Sequence, residues 1–224
     1  MAEYVVEFGR DGGRVESDGR LDAPAFHRNH EPLWAALEKH LAGRSGDVVE
    51  VGSGTGQHVV HFASHTPDLV WWPSDLNQRH VKSIEAWRVH SGLSNIRSPL
   101  RIDLADPDWC PEMKSGQGPN NLAAVFCANV IHIAPWTVAE GLFAGAGRYL
   151  RSDGELFLYG PFKRDGKHTA LSNAVFDTSL REGNPDWGVR DLRDVEALAH
   201  GVGLRLVDTI EMPANNLTLV FARG

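Results

Sequence analysis

The chain of 224 residues is predicted to fold as an α/β protein, a doubly wound sheet of seven strands, mostly parallel with the last strand antiparallel. Three observations carry this expectation. Val48, Val49 and Val51 form a β-branched run that passes through Gly52, Gly54 and Gly56 into Val59, Val60, Phe62 and Ala63 at helical spacing. This strand, turn and helix suit a buried parallel sheet. Further apolar runs alternate with helical patterns along the chain. The final two runs, 204–211 and 217–222, are joined by MPANN, too short for a crossover helix, so they must pair antiparallel.

Residues 1–23 are rich in Gly, Asp and Arg and carry one apolar patch at Tyr4, Val5, Val6 and Phe8. They are expected to form a loosely held arm with a short strand, ahead of one domain over 24–224. Leu33, Trp34, Leu37 and Leu41 place a helix over 24–41, ended by Gly43. A second strand is expected over 70–74, a helix over 77–90 stopped by Gly92, and a third strand over 97–103. The proline- and glycine-rich stretch 105–121 reads as a loop. LAAVFCA (122–128) is a fourth buried strand, 136–150 a helix, and Asp153–Gly154 a turn into a fifth strand, 155–160. Residues 161–191 form an insertion with turns at Asp165–Gly166 and Asn184–Pro185 and a short helix around 173–180. Asp191 caps the last helix.

Net charge is −7 and the isoelectric point about 5.9, which argues against a broad nucleic-acid surface. No apolar run approaches the roughly 20 residues of a membrane span, and the first residues lack the pattern of a signal peptide. With two cysteines, Cys110 and Cys127, no disulfide framework is implied. The expectation is a cytoplasmic protein with no nucleic-acid or membrane partner.

Glycines suit a turn that needs unusual backbone angles and close approach of a ligand to the main chain. The amides opening the next helix point into that turn. Asp75 ends the second strand nineteen residues after Gly56, about the spacing at which a carboxylate accepts hydrogen bonds from an adenosine ribose. A dinucleotide and S-adenosylmethionine both fit this pattern. The dinucleotide fingerprint requires a third small residue where this chain has Gln57, and a terminal antiparallel hairpin is not how such folds end.

The hairpin instead resembles the Rossmann-like sheet of class I methyltransferases. WWPSD, NVIHI, LYGPF, SNAVFD, DWGVRD and MPANN together resemble the methyltransferase-like protein 26 family and its bacterial relatives, from residue 24 to the end. The resemblance implies a class I S-adenosylmethionine-dependent methyltransferase and supplies no substrate. It implies that Gly52, Ser53, Gly54, Thr55 and Gly56 cradle the cofactor and that Glu50 holds the methionine amino group. Asp75 and Leu76 would take the ribose and Asp103 and Leu104 the adenine; Arg28, Asn29 and Asn129 complete the set.

His132 follows the fourth strand, where the transferable methyl group lies in such enzymes. An unperturbed imidazole could accept a proton from an acceptor at neutral pH, and a structural histidine is the competing reading. Tyr159, at the end of strand five, is the second catalytic candidate. Asn173, Trp187, Arg190, Asn215 and Asn216 are candidate acceptor-pocket residues, although Asn also suits turns for conformational reasons. His58, His61 and His65 share a helix face, but the apolar residues between them are expected to turn the histidines to solvent, and no metal is expected. The function expected is methyl transfer to a small molecule. A protein side chain as acceptor, or a non-catalytic cofactor-binding module, stays open. The oligomeric state is open too.

Overall fold

The computed structural model describes residues 13–106, 109, 116, 118–119 and 121–224. The expected strand at Tyr4–Phe8, most of the 105–121 loop and Cys110 lie outside them. β1 (Arg14–Val15) and β2 (Leu21–Asp22) pair antiparallel. α1 (Pro24–Leu41) has the expected bounds, starts on a proline and buries Leu33, Trp34, Leu37 and Leu41. β3 (Gly46–Val51), α2 (Gln57–His65) and β4 (Leu69–Ser74) follow. α3 (Gln78–Ser91) opens where Asn77 accepts a hydrogen bond from the Arg79 amide, and Gly92, at φ 65°, closes it. Next come β5 (Leu122–Ala128), α4 (Trp136–Tyr149) and β6 (Leu150–Gly160).

The insertion makes a small sheet of β7 (Phe162–Arg164), β8 (Lys167–His168) and β9 (Arg190–Asp191), with α5 (Leu171–Gly183) between β8 and β9. Asp165 and Gly166 both adopt positive φ at the β7–β8 turn, as a two-residue hairpin requires. α6 (Leu192–Gly201) is capped by Asp191, which accepts from the Arg193 amide. β10 (Leu204–Met212) and β11 (Asn216–Arg223) end the chain as an antiparallel pair.

The central sheet has six strands in the order β10–β11–β6–β5–β3–β4. β4, β3, β5 and β6 are parallel, and β11 enters antiparallel between β6 and β10. The expected seventh strand does not form. Residues 95–100 run along the outer edge of β4, making only isolated bridges at Trp71–Ile96 and Ser74–Leu100. The Trp71 amide donates to Asn95 and the Arg97 amide to Trp71. The next two donors would be Pro73 and Pro99, which have no N–H; the Leu100 amide reaches Pro73 O instead, one residue out of step.

Two more expectations change. β6 begins at Leu150, so Asp153–Gly154 does not precede it; Leu122 pairs with Leu150 but Ala124 with Glu155, and residues 151–154 bulge between them. The end of the arm is firmly attached. Leu21 is buried, its amide donates to Ser83 Oγ and its carbonyl accepts from Trp87 Nε1.

Alternation along the strands divides the core into two layers. Val49, Val51, Val125, Cys127, Leu156 and Leu158 face α4 and α6. Val48, Ala124, Phe126 and Phe157 face Leu33, Leu37, Val59 and Phe62 of α1 and α2. By the same alternation Glu50 lies on the α1–α2 face.

Candidate cofactor and acceptor site

The glycine turn leaves the carboxyl end of β3 and is tied to β4. Ser53 N donates to Ser74 O, Ser74 N donates to Ser53 Oγ, and both hydroxyls donate to the Glu50 carbonyl. All three glycines have positive φ, yet their surroundings differ. A methyl group added at Gly52 would lie 2.3 Å from Val130 Cγ2, and one at Gly56 would lie 2.8 Å from Ile84 Cα. These two glycines let neighbouring segments pack. At Gly54 nothing lies within 4 Å of the added carbon, so a ligand can approach the main chain there.

Gln57 has a structural role. Its Oε1 accepts from the Ala23 amide and the Thr55 hydroxyl, and its Nε2 donates to Asp22. Ser83 bridges the Leu21 amide and the Thr55 carbonyl. The segment before α1 and the glycine turn are therefore clamped together through two buried polar side chains. A polar residue opening a helix directly after the last glycine was the available signal.

Glu50 is 2% exposed, and its Oε2 has no hydrogen-bond partner among the described residues. Burial pushes its carboxyl up to about 8, opposed by Ser53 and reinforced by the nearby Asp75 charge. Asp75 is also buried, with Oδ1 accepting from the Asn77 amide and Oδ2 from the Gly54 amide; His80 Nδ1 lies 3.2 Å from Oδ2. Ionised, it retains one unused acceptor position of roughly four. Leu76 is half-buried beside it. Asp103 accepts from the Ala105 amide. Leu104 is committed to the core: it is buried against α4, where Gly141 has no side chain and so admits the Leu104 carbonyl.

Arg28 is exposed on α1. Its neighbour Asn29 binds His58, with Oδ1 2.9 Å from Nε2. The solvent-facing orientation expected for the α2 histidines holds for His65, which is exposed, and fails for His58 and His61, over which α1 lies. Phe26 packs edge-on against His58 at 5.2 Å, and burial drives the His58 imidazole down to about 3, with His61 and His30 adding to the effect.

The two catalytic candidates lie on opposite faces. Tyr159 packs in the α1–α2 layer, the face that carries Glu50, and its hydroxyl accepts from Asn216 Nδ2 at 2.8 Å. A Cβ at the next residue, Gly160, would point the other way, 2.3 Å from His132 Nε2. His132 is 1% exposed, edge-on to Phe162, with both ring nitrogens unpartnered among the described residues. Burial, with the Arg190 cation nearby, holds it down at about 3. An imidazole so placed does not suit a base working at neutral pH. Asn129, at φ 60°, turns the chain between β5 and His132, and its amide donates to Tyr159 O.

Asn173, Asn215 and Asn216 come together with Tyr159. Asn173 Nδ2 donates to Asn215 O and Thr169 Oγ1, and Asn215 Nδ2 donates to Ser172. Asn215 also has positive φ, at 59°, so the conformational reason for Asn holds there. Arg190 is elsewhere. It donates to the carbonyls of Ile131, Ala134 and Asp186, lies over the Trp136 ring, and lines an open groove of about 850 Å³ with Lys163, Arg181 and Arg193. It braces the 130–134 turn. Trp187 is half-buried, its Nε1 without a partner among the described residues.

Asp177 was not singled out from the sequence although it lies within SNAVFD. It is 6% exposed and receives the Val189 amide, Lys163, His168 and Arg181. These contacts hold its carboxyl below the usual range against the opposing effect of burial.

The sequence matches the family described as "Protein of unknown function (DUF938)" over residues 20–223. The chain belongs to this family. Its fold is similar to that of an O-methyltransferase family protein from Burkholderia thailandensis, at TM-score 0.73 and 15% identity, over 89% of this chain and 57% of that one. CalO1, a methyltransferase in calicheamicin biosynthesis in its SAH-bound form, aligns at 0.63 and 15% identity, over 87% and 55%. An O-methyltransferase family 2 protein from Planctomyces limnophilus, in complex with apigenin, aligns at 0.67 and 16%, over 87% and 62%. This chain thus spans little more than half the length of these proteins, and the likeness is one of fold. Among the described residues, no helix is long and apolar enough to cross a membrane.

Proposed function

We propose that this chain is an S-adenosylmethionine-dependent methyltransferase of class I acting on a small-molecule acceptor, the activity implied by its resemblance to the methyltransferase-like protein 26 family. The observation that carries the proposal is the buried Glu50 carboxyl. One of its oxygens lacks a partner at the carboxyl end of β3, next to the turn whose Gly54 stands open. An orphaned buried oxygen is costly unless something reaches it, and an ammonium group supplies what it lacks. Gly54 and Thr55 would line the approach, Asp75 would take the ribose through its remaining acceptor position, and Arg28 and Asn29 would close over the site from α1. Asp103 would meet the adenine.

The cofactor supplies a methyl group on sulfonium, which an acceptor attacks in line. The protein's part is to position that acceptor and keep water out. The proposed acceptor contacts are Tyr159, on the Glu50 face, Asn216, bonded to its hydroxyl, and Asn173, bonded to the neighbouring Asn215 carbonyl, with Tyr159 preferred to His132 as the group touching the reacting atom. The O-methyltransferase folds among its structural neighbours, one solved with apigenin, favour a small acceptor. The occluded His132 gives weight to a second reading, a cofactor-binding module without transfer activity.

Thermal unfolding with S-adenosylmethionine, S-adenosylhomocysteine and NAD tests the cofactor, because a ligand stabilises only the state it binds. The expected result is a rise in Tm with the first two and none with NAD. A rise with NAD alone overturns the assignment.

A further inference from the structure

We propose that His30, Glu31 and His61 form a binding site for a divalent transition cation of the zinc class, linking α1 to α2. Each residue brings one ligand atom, and these atoms lie within 4.8 Å of one another. Two imidazoles and a carboxylate, with water as a fourth ligand, make a donor set suited to such ions.

Two details go beyond proximity. His30 Nδ1 lies 2.9 Å from the Phe26 carbonyl, which accepts and therefore fixes the proton on that nitrogen. In the neutral ring the Nε2 lone pair then faces Glu31 Oε1 at 3.4 Å, two acceptors that a cation between them would reconcile. A carbonyl bond of this kind is also how metal-ligating imidazoles are commonly oriented. Independently, His61 Nε2 is shielded from solvent with no hydrogen-bond partner among the described residues. The His30 and His61 rings meet nearly perpendicular, at 86° and 4.9 Å. The site differs from the solvent-facing trio weighed from sequence spacing: His61 is shared, while His30 and Glu31 come from α1. A bound ion would brace α1 beside the Asn29–His58 contact. The competing occupant is a proton, with His30 as imidazolium paired to Glu31.

Titrating the full chain with Co²⁺, followed by visible absorption and by displacement with Zn²⁺, separates the two. The expected result is one ion per chain, with at least tenfold weaker binding in both His61→Ala and Glu31→Gln and unchanged binding in His65→Ala. Glu31 is exposed on the helix surface, so its substitution leaves the fold intact; circular dichroism checks His61→Ala. Absence of Co²⁺ binding to the unaltered chain, or wild-type affinity in either variant, overturns the proposal.

Discussion

Glu50 is the residue on which stability and the proposed binding meet. Its folded-state value of about 8 lies above its ordinary 4.5, so the folded chain keeps a proton that the unfolded chain releases. Stability therefore falls as pH rises from about 4.5 to about 8. His58 and His132, both held near 3 from an ordinary 6.5, act in the opposite sense and add stability as pH climbs to about 6.5. Between about 6.5 and 8 the Glu50 slope stands apart from theirs. Denaturant unfolding across that window should show the wild type losing up to about 1.4 kcal/mol per pH unit relative to Glu50→Gln; parallel profiles would refute the assignment. The glycines make a second prediction. Gly56→Ala meets the Ile84 backbone and should cost roughly 2 kcal/mol or more. Gly54→Ala meets open space and carries only the strain of positive φ, about 1 kcal/mol, so unfolding should rank Gly56→Ala as the more damaging change. Cofactor binding should suffer at Gly54.

At the scale of elements, the insertion depends on one carboxylate. Asp177→Ala would strand Lys163, His168 and Arg181 and free the Val189 amide. A cost of about 3 kcal/mol is expected, concentrated in residues 161–191. Hydrogen exchange there should accelerate while β3 and β5 keep their protection; uniform acceleration would mean that Asp177 supports the whole fold. Elements whose apolar period is strong were legible: α1, β5 and the terminal hairpin fall where the pattern placed them. The third strand was misread because its apolar residues match a strand, whereas Pro73 and Pro99 remove the two donors that would continue the ladder. Proline 73 acts across the strand pair, which a one-dimensional pattern does not display. Asp153–Gly154 looked like a turn because its bulge uses the same residue types. Arg190 looked like a pocket residue, but its five-donor head group suits bracing three carbonyls equally well, and only the fold determines which it does.

Over the whole molecule, the division of the sheet into two faces organises the candidate site. Glu50 and Tyr159 share the α1–α2 face, while His132 and Arg190 lie beyond Gly160 on the other. Sequence order hid this separation: Tyr159 and Gly160 end β6 pointing to opposite faces, and His132 sits in the turn after β5, against the Gly160 side. The positions of Glu50, Gly54 and Asp75, the residues proposed to meet the cofactor, were legible since they sit at or just after strand ends that the alternating pattern locates. The network of Tyr159, Asn173, Asn215 and Asn216 joins three distant segments, and its connections appear only in the folded chain. Calorimetry of S-adenosylmethionine binding tests the central claim most directly. Binding at Glu50 must ionise a carboxyl that the unliganded chain holds protonated, so affinity should rise between about pH 6 and 7.5, by up to about tenfold per unit. A proton should be released on binding, and Glu50→Gln should remove both effects. Binding that is absent, or equally tight and pH-independent in the two proteins, would contradict this account.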